Sequence, residues 1–306
     1  MLTAKQQKIR SKGIGASEVA ALMGLDPYRT KLDIYLRKMG LADDVKSFHT
    51  DRGNFLEPAL RTWASAKVGV QFQGNCPTLT CKDHPQVLAT PDGIALDGDT
   101  KHVLELKAPG PRTAWEWGDG EEAPDRYVVQ LAQQQLVTEA PDGYLAALVD
   151  GDLRTYHYAR DPDLEGEIVT AVEKFWRDHI AKKSPPPVDG SASASEYLKR
   201  VFPRSRGDLI TADGSTETLL LACKQARIEA KAAEQKAVLL EQQIKSLIGE
   251  RDGITSPWGK VLWRNNKDGE RTDWQGVALA LGATPEVIKE HTKTTPGPRV
   301  FRFGLK

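Results

Sequence analysis

Two acidic residues and a lysine stand close together in VLATPDGIALDGDTKHVLELKAPG, residues 87–110. Asp92 follows a proline, and Glu105 and Lys107 come after twelve intervening residues, two positions apart. Two carboxylates that converge make an oxygen-rich site suited to Mg²⁺ or Mn²⁺. A lysine beside them can orient a water molecule or stabilise charge on a phosphoryl oxygen. These residue types fit metal-dependent hydrolysis of phosphodiester bonds, provided that the three side chains meet.

The three residues lie in two β-rich runs, QVLATPDGIAL and HVLELKA, which are separated by the hairpin signal DGDT. In such a hairpin Glu105 and Lys107 point to the same face of the sheet, because side chains alternate along a strand. Asp92 then lies near the open end of the first strand. The same spacing also occurs in a solvent-facing hairpin with an ordinary Glu–Lys pair, so the pattern alone leaves both interpretations open.

Helical and strand patterns surround this hairpin. Helices are predicted over ASEVAALMG, KLDIYLRKMG, NFLEPALRTWASAKVG, DRYVVQLAQQQLVTEA and DLEGEIVTAVEKFWRDHIAKK. The third has Phe55, Leu60 and Trp63 or Ala64 at helical spacing. Strands are predicted over VQFQ, TLTC, GYLAALV and LRTYHYA. The mixture of helices and strands predicts one α/β domain over residues 1–183.

The pattern changes after residue 183. SPPPVDGSASAS has no periodicity, which predicts a linker over 184–215. From Leu219 to Leu247 small and apolar residues recur at alternating spacings of four and three, which predicts a long coiled-coil-like helix over 216–250. Its seam can pack within the chain or against another chain. A hairpin in GKVLWRNNKDGERTDW, a short helix and the strand RVFRF predict a small α+β module over 251–306.

Composition limits the classes of partner. Lys plus Arg and Asp plus Glu both number 42, so a nucleic-acid surface must be a local patch. The three cysteines form no CxxC pair and no histidine cluster accompanies them, which favours reduced thiols over a zinc site or a disulfide framework. The first residues lack the apolar run of a signal peptide, and no stretch has the length of a membrane span. A cytoplasmic protein is expected.

Five blocks in order resemble the PD-(D/E)xK nuclease superfamily and, within it, the YqaJ-type phage recombinases related to lambda exonuclease. The blocks are RSKGIGASEVAALMGLDPY, RGNFLEP, LATPDG, LELK and YVVQLAQQQLVT. The resemblance runs from about Arg10 to Lys182 and implies a restriction-endonuclease-like fold, a mixed central sheet flanked by helices. It also implies a Mg²⁺-dependent exodeoxyribonuclease that resects linear double-stranded DNA from 5′ to 3′ and leaves a 3′ single strand.

The resemblance implies roles for the residues around the metal. Asp92, Glu105 and the backbone carbonyl of Leu106 match ligands of two Mg²⁺ ions, for which Mn²⁺ can substitute. Glu57 matches an acidic residue on a helix near the metals. Lys107 is the match to the catalytic lysine and Gln130 to the active-site glutamine.

Three further residues match positions that contact DNA. Arg10 and Ser17 match residues that hold the 5′-phosphate, and Thr90 matches a small hydroxyl residue near the phosphate. Ser17 also suits the N-cap of the helix that follows it, and the two roles are compatible because helix N-termini attract phosphate.

The fifth block departs from the family pattern. The family commonly reads Gln-x-Gln, whereas this chain has Ala132 at the second position. Gln133 and Gln134 lie three and four residues after Gln130 and would share its helical face. Only Gln130 is assigned a role.

The resemblance also implies partners: double-stranded DNA ends, a ring-shaped homotrimer, and a single-strand annealing protein in homologous recombination. Two other functions stay open. One is a structure-selective or sequence-specific endonuclease with the same metal core. The other is a non-catalytic DNA-binding scaffold on a decayed nuclease fold, against which the intact Asp92, Glu105 and Lys107 set argues.

Overall fold

The computed structural model describes residues 4–42, 48–118, 122–265 and 272–291. The chain divides into two compact units, Met1–Val201 and Phe202–Lys306. The helices of the first unit are α1 (Ala4–Arg10), α2 (Ala16–Met23), α3 (Lys31–Lys38), α4 (Phe48–Val68), α5 (Asp125–Thr138), α6 (Pro162–Phe175) and α7 (Ala192–Val201). Its strands are β1 (Ile14–Gly15), β2 (Leu79–Thr80), β3 (Val87–Ala89), β4 (Gly93–Asp97), β5 (Thr100–Lys107), β6 (Asp142–Val149) and β7 (Asp152–Ala159).

The main sheet has the strand order β4-β5-β6-β7. The β5–β6 pair is parallel and the two outer pairs are antiparallel, so the sheet is mixed, as the resemblance implies. Both outer pairs are hairpins whose turns contain positive-φ residues: Gly98 (φ 59°) between β4 and β5, and Asp150 and Gly151 (φ 51° and 94°) between β6 and β7. The predicted hairpin that carries Glu105 is therefore present.

A second, smaller sheet has the order β1-β3-β2. The run QVLATPDGIAL, predicted as one strand, is split between the two sheets. Its first part is β3, which pairs with β1 and β2, and its second part is β4, which pairs with β5. Residues 90–92 connect the two, and proline at 91 favours such a break because it has no N–H to donate to a ladder.

Helix α5 packs against α2, α6, β3 and β6, and connects two parts of the core. Val129 and Ala132 join the apolar cluster around Ile14 and Val87, whereas Leu131 joins the cluster around Leu145. Because α5 is apolar on two sides, its position relative to both sheets is fixed. Between its two apolar sides, α5 presents side chains that face the start of β1 and the end of β5.

Several local predictions differ from the structure. VQFQ contributes only an isolated bridge between Gln73 and Ile94, and is not a strand. On α4, Leu60 and Ala64 are buried, but Phe55 is 86% exposed, so its predicted place in the apolar face is wrong. The N-cap of α2 is Gly15, so Ser17 lies inside the helix and is not its cap.

The predicted linker, 184–215, contains helix α7, which the sequence analysis did not anticipate. Ala194 of α7 is buried in the same cluster as Leu32 of α3, and the two helices are in contact. The absence of periodicity in this serine- and alanine-rich stretch therefore did not mean absence of a helix, since Ala194 and the partly buried Tyr197 pack α7 against the core.

The second unit contains the helices α8 (Gly214–Ile248), α9 (Trp274–Ala280) and α10 (Pro285–Glu290) and the hairpin of β8 (Gly253–Ser256) with β9 (Gly259–Leu262). The first strand of the hairpin predicted in 259–274 corresponds to β9, which pairs with β8, while residues 266–271 of that predicted hairpin lie outside the described residues. The predicted strand RVFRF lies outside the described residues. Within the described ranges no helix combines the length and apolar character needed to cross a membrane.

Candidate active site

A cleft of about 830 Å³ in the first unit brings together every residue that the sequence analysis assigned to the site. The residues come from α1, α2, α4, β5, α5 and the connection between β3 and β4. Those assigned residues are Arg10, Ser17, Glu57, Thr90, Asp92, Glu105, Leu106, Lys107 and Gln130. The cleft is therefore one site and not a set of separate surface charges.

The centre of the cleft is the pair formed by Glu105 and Lys107. Both lie on β5, two residues apart, and the Lys107 ammonium donates to Oε1 of Glu105 at 2.5 Å. The Glu105 side chain is only 4% exposed and that of Lys107 20% exposed, so this is not the solvent-facing pair of an ordinary hairpin. The alternation of side chains along β5 brings both groups to the same face.

Asp92 lies beside this pair because the N–H of Leu106 donates to its Oδ2 at 2.8 Å. Its own backbone N–H donates to the carbonyl of Leu104 at 3.1 Å, which fixes Asp92 at the end of the hairpin. Burial, and then the negative charge of Glu105, raise the pKa of Asp92 well above its usual range. The nearby Lys107 acts in the opposite direction without cancelling these effects.

The electrostatic balance keeps Lys107 charged. Burial favours the neutral amine, but the carboxylates of Glu105 and Asp92 outweigh it and raise the pKa of Lys107. Its Nζ also lies 4.9 Å from the centre of the Tyr127 ring, a cation–π contact. A charged lysine is the form that stabilises developing negative charge.

Two glutamines on α5 hold the Glu105 carboxylate from the other side. Gln130 donates to Oε1 at 2.6 Å and accepts from Lys107 at 3.0 Å. Gln134 donates to Oε2 at 2.5 Å. Sequence reasoning placed Gln134 on the right face but gave it no role; its spacing of one helical turn from Gln130 was the available signal.

Gln133 serves the fold and not the cleft. It is fully buried and donates to the carbonyls of Ile14 and Leu88, at 2.9 and 2.8 Å. These carbonyls belong to β1 and β3, so Gln133 ties α5 to the small sheet. Gln134, the next residue along the chain, therefore makes the contact with Glu105.

Glu57 lines the cleft, and its ion-pair partner is a residue to which the sequence analysis gave no role. Arg61, one turn further along α4, forms an ion pair with Glu57. The same guanidinium donates from Nε to the backbone carbonyl of Asp92 at 2.9 Å. Arg61 therefore connects Glu57, on helix α4, to the loop that carries Asp92.

Arg10 and Ser17 meet at the beginning of α2, where Nη2 of Arg10 donates to Oγ of Ser17 at 3.1 Å. Gly15 lies beneath the guanidinium, and a Cβ there would come within 2.9 Å of Nη2. A cationic side chain and a hydroxyl at a helix N-terminus form a suitable site for an anion.

Buried groups behind Arg10 hold its backbone. Lys38 donates to the carbonyl of Arg10 at 2.9 Å and to the carboxylate of Glu18 at 2.7 Å. Glu18 also accepts from the N–H of Gly15 at 2.7 Å. Glu18, which the sequence analysis left out of the site, is thus a structural acid that supports the residues of the cleft.

Thr90 is the remaining assigned residue. Its hydroxyl lies 2.8 Å from the hydroxyl of Thr78, and both residues line the cleft next to Asp92. The pair adds hydroxyl groups to a wall that otherwise contains Cys76 and Pro77.

The oxygen donors suit a divalent cation in chemical type. In the described part of the chain no three His, Cys, Asp or Glu side chains are grouped closely enough to hold a metal ion by themselves. Glu105 is nevertheless buried and Asp92 half-buried beside it, so that two carboxylates lie near one ammonium. Each carboxylate oxygen can accept two hydrogen bonds or ligands, so Oε2 of Glu105, which accepts from Gln134, retains capacity for a cation.

The comparisons with known proteins agree with this fold. Residues 5–141 match the sequence profile of the YqaJ-like viral recombinase domain. The protein YqaJ of Bacillus subtilis (strain 168) is 28% identical over 248 residues, which cover 77% of this chain and 75% of that protein. Residues 5–141 are thus similar in sequence to this recombinase domain.

The solved structures show the fold. Two crystal structures of LHK-Exo, an alkaline exonuclease from Laribacter hongkongensis, match with a TM-score of 0.51 and 22% identity, and one of them is a complex with dAMP. The match covers 65% of this chain and 97% of theirs. The first unit therefore has the fold of this exonuclease.

Proposed function

We propose that the chain is a Mg²⁺-dependent exodeoxyribonuclease that degrades one strand of linear double-stranded DNA from 5′ to 3′. The single observation that carries the proposal is the convergence of Asp92, Glu105, Lys107 and two glutamines in one cleft. The likeness to an alkaline exonuclease and to a viral recombinase domain supports it.

Asp92, Glu105 and the Leu106 carbonyl are the proposed ligands of the metal ions, with Glu57 supporting a second ion. Two Mg²⁺ ions are proposed, and Mn²⁺ can replace them because both prefer oxygen ligands. When bound, such ions supply Lewis-acid activation of water and neutralise charge on the phosphate.

The chain itself orients the reacting groups. Gln130 and Gln134 fix both oxygens of Glu105, so the carboxylate cannot rotate away when a ligand binds. Lys107 remains protonated and places its ammonium where it can stabilise charge on the scissile phosphate or hold the attacking water. A buried, preorganised site needs little rearrangement during the reaction.

Arg10 and Ser17 are proposed to bind the 5′-phosphate of the strand that is degraded, and Thr90 to contact a neighbouring phosphate. An anchor for a terminal phosphate makes the enzyme depend on a DNA end. The product is a 3′ single strand, and its proposed use is homologous recombination with a single-strand annealing protein in the bacterial cytoplasm. A ring-shaped homotrimer around the duplex is proposed from the family resemblance.

Linear duplex DNA with a 5′ label and closed circular DNA test the proposal together. Wild-type protein should release nucleotides from the linear DNA with Mg²⁺ but not with EDTA, and should leave the circle intact. Asp92→Asn, Glu105→Gln and Lys107→Met should each abolish release. Asp97→Asn, at the far exposed end of β4, is the matched control and should be fully active.

Other outcomes would point elsewhere. Cleavage of the closed circle would indicate an endonuclease with the same core. A folded wild-type protein that binds DNA without metal-stimulated release would indicate a non-catalytic scaffold. Wild-type activity in any of the three site variants would contradict the assigned chemistry.

A further inference from the structure

Helix α8 presents a long exposed seam of small and apolar residues. It contains 35 residues, which corresponds to about 52 Å at 1.5 Å per residue. Its N-terminus is capped by Asp213, which accepts from the N–H of Thr216 at 2.8 Å. Along the seam Leu219, Leu240 and Leu247 are 70%, 49% and 71% exposed. The seam is Leu219, Cys223, Ala226, Ala230, Ala233, Ala237, Leu240, Ile244 and Leu247.

We propose that α8 pairs with α8 of a second copy of the chain in antiparallel orientation, centred between residues 231 and 232. The packing of side chains across the seam supports this register. Ala230 lies opposite Ala233 of the second copy, and Ala226 opposite its Ala237, so the two helices approach closely at the centre. Further out, the larger side chains face one another: Leu219 meets Ile244, and Cys223 meets Leu240.

The charges that flank the seam select this register. Residues on either side of a coiled-coil seam form interhelical pairs that determine orientation and partner. In the proposed register Glu229 lies opposite Lys236 of the second copy, and Arg227 lies opposite Glu234. The two-fold symmetry repeats both pairs, so four pairs of opposite charge form and none of like charge.

Other arrangements bring like charges together. A parallel pair of α8 helices places Glu229 opposite Glu234 twice, which offsets the two favourable pairs between Lys236 and Glu241. An antiparallel pair displaced by seven residues in one direction places Glu229 opposite Glu229 of the second copy, and Arg227 opposite Arg227. Displacement in the other direction places Lys236 opposite Lys236, and Glu234 opposite Glu234. Exposed ion pairs are individually weak. They therefore determine orientation, while burial of the seam supplies affinity.

Charge reversal tests the orientation in the full-length protein. With Glu234→Lys the two antiparallel helices place like charges together, and the dissociation constant measured by sedimentation equilibrium should rise about tenfold, equivalent to about 1.4 kcal/mol. A parallel pair would instead become tighter, because position 234 would then oppose Glu229. Gln235→Lys adds positive charge one residue away, on the outer face, and should change little. Combining Glu234→Lys with Arg227→Glu should restore association.

A disulfide tests the register. With Leu240→Cys the new thiol should lie opposite Cys223 of the second copy, so mild oxidation should link two chains covalently. Cys76 and Cys81 are buried in the first unit and should not take part. Wild-type protein should not crosslink, whereas a parallel pair would join Cys223 to Cys223.

Three results would overturn the proposal: crosslinking of the wild type through Cys223, a dissociation constant that Glu234→Lys leaves unchanged, or tighter association of Glu234→Lys. An unchanged dissociation constant would mean that the seam packs within the chain or binds a different protein. None of these results depends on nuclease activity, so the pairing of α8 and the proposed function fail separately.

Discussion

Gln134 donates to Oε2 of Glu105 at 2.5 Å, across the interface between α5 and β5. Thr138, one turn later on the helix, donates in turn to the carbonyl of Gln134 at 2.7 Å. A glutamine in this position restrains the carboxylate without changing its charge. The contact thus connects the helix to the chemistry that we propose for the cleft.

Substituting Gln134 and Gln133 one at a time should separate an effect on nuclease activity from an effect on stability. Gln134→Leu should reduce DNA degradation by about 10- to 100-fold, the cost typical of losing a residue that orients a metal ligand, with a smaller effect on thermal unfolding. Gln133→Leu leaves two buried carbonyls without their donor and should lower the free energy of unfolding by about 2–4 kcal/mol. Steady-state nuclease assays and denaturant unfolding measure the two effects. Equal behaviour of the two variants would contradict the division of roles.

Asp92→Asn should abolish activity and at the same time stabilise the metal-free protein at neutral pH. The folded-state pKa of Asp92 is raised, so its favourable contribution is complete below the unfolded-state pKa and is lost as pH rises through the folded-state pKa. Above the unfolded-state pKa this carboxyl therefore lowers stability, whether it keeps its charge or takes up a proton on folding, and the neutral amide removes that cost. In EDTA the melting temperature should rise by a few degrees, about 2–4 °C per kcal/mol.

The same pair of proteins provides the control for that measurement. The gain should shrink as pH falls toward 4, because the wild-type carboxyl becomes neutral too. Saturating Mg²⁺ should stabilise the wild type and not Asp92→Asn, since binding to the folded state adds about 2.7 kcal/mol at a hundredfold excess over Kd. A lower melting temperature for Asp92→Asn in EDTA at pH 7 would refute this account.

Lys38→Met should destabilise the fold and disturb the site of Arg10. Its ion pair with Glu18 is buried, with side chains 6% and 9% exposed. Removing one partner of a buried pair costs about 3–5 kcal/mol. Lys199→Met breaks an exposed pair with Glu196, and its cost should be within about 1 kcal/mol. Chemical denaturation of the two variants compares the costs directly, and similar values would show that the pair with Glu18 is not structural.

Arg10→Gln should remove the preference for phosphorylated ends. Wild-type protein should digest 5′-phosphorylated duplex faster than 5′-hydroxyl duplex, and the variant should digest both at similar, low rates. The matched control is Arg177→Gln, an exposed arginine outside the cleft, which should keep the wild-type ratio. The ratio of initial rates is the measurement, and an unchanged ratio in Arg10→Gln would exclude this arginine as the anchor.

The sequence predicted the residues at the centre of the site better than the residues that hold them in place. Glu105 and Lys107 are two apart on a strand, so period-two geometry alone brings them to one face. The i,i+4 spacing of Glu57 and Arg61 indicates their ion pair, but nothing in the sequence indicates the contact of Arg61 with a backbone carbonyl 31 residues away. Helical spacing likewise left Gln133 and Gln134 equivalent, and only the positions of β1 and β5 around α5 distinguish them.

Burial was also only partly predictable. Leu60 faces the core and Phe55 faces solvent although both lie on α4, because the side of a helix that is buried depends on what packs against it. The break between β3 and β4 was missed for a similar reason. Pro91 favours a break at this position, but the apolar residues on either side do not indicate which neighbouring strand each half pairs with.

That break has a further consequence. The small sheet positions the residues that we propose to grip the end of the DNA, since β1 leads into α2, and the main sheet positions those proposed to cut it. Residues 90–92 are the direct covalent connection between the two sheets, and their length sets the reach from grip to cut. The turn fixes the register of β4 against β5, so one residue inserted here would displace the connection itself and disturb the contacts of Asp92 with Leu104 and Leu106. The connection thus sets the separation between the two groups of residues, and we expect it to tolerate no insertion.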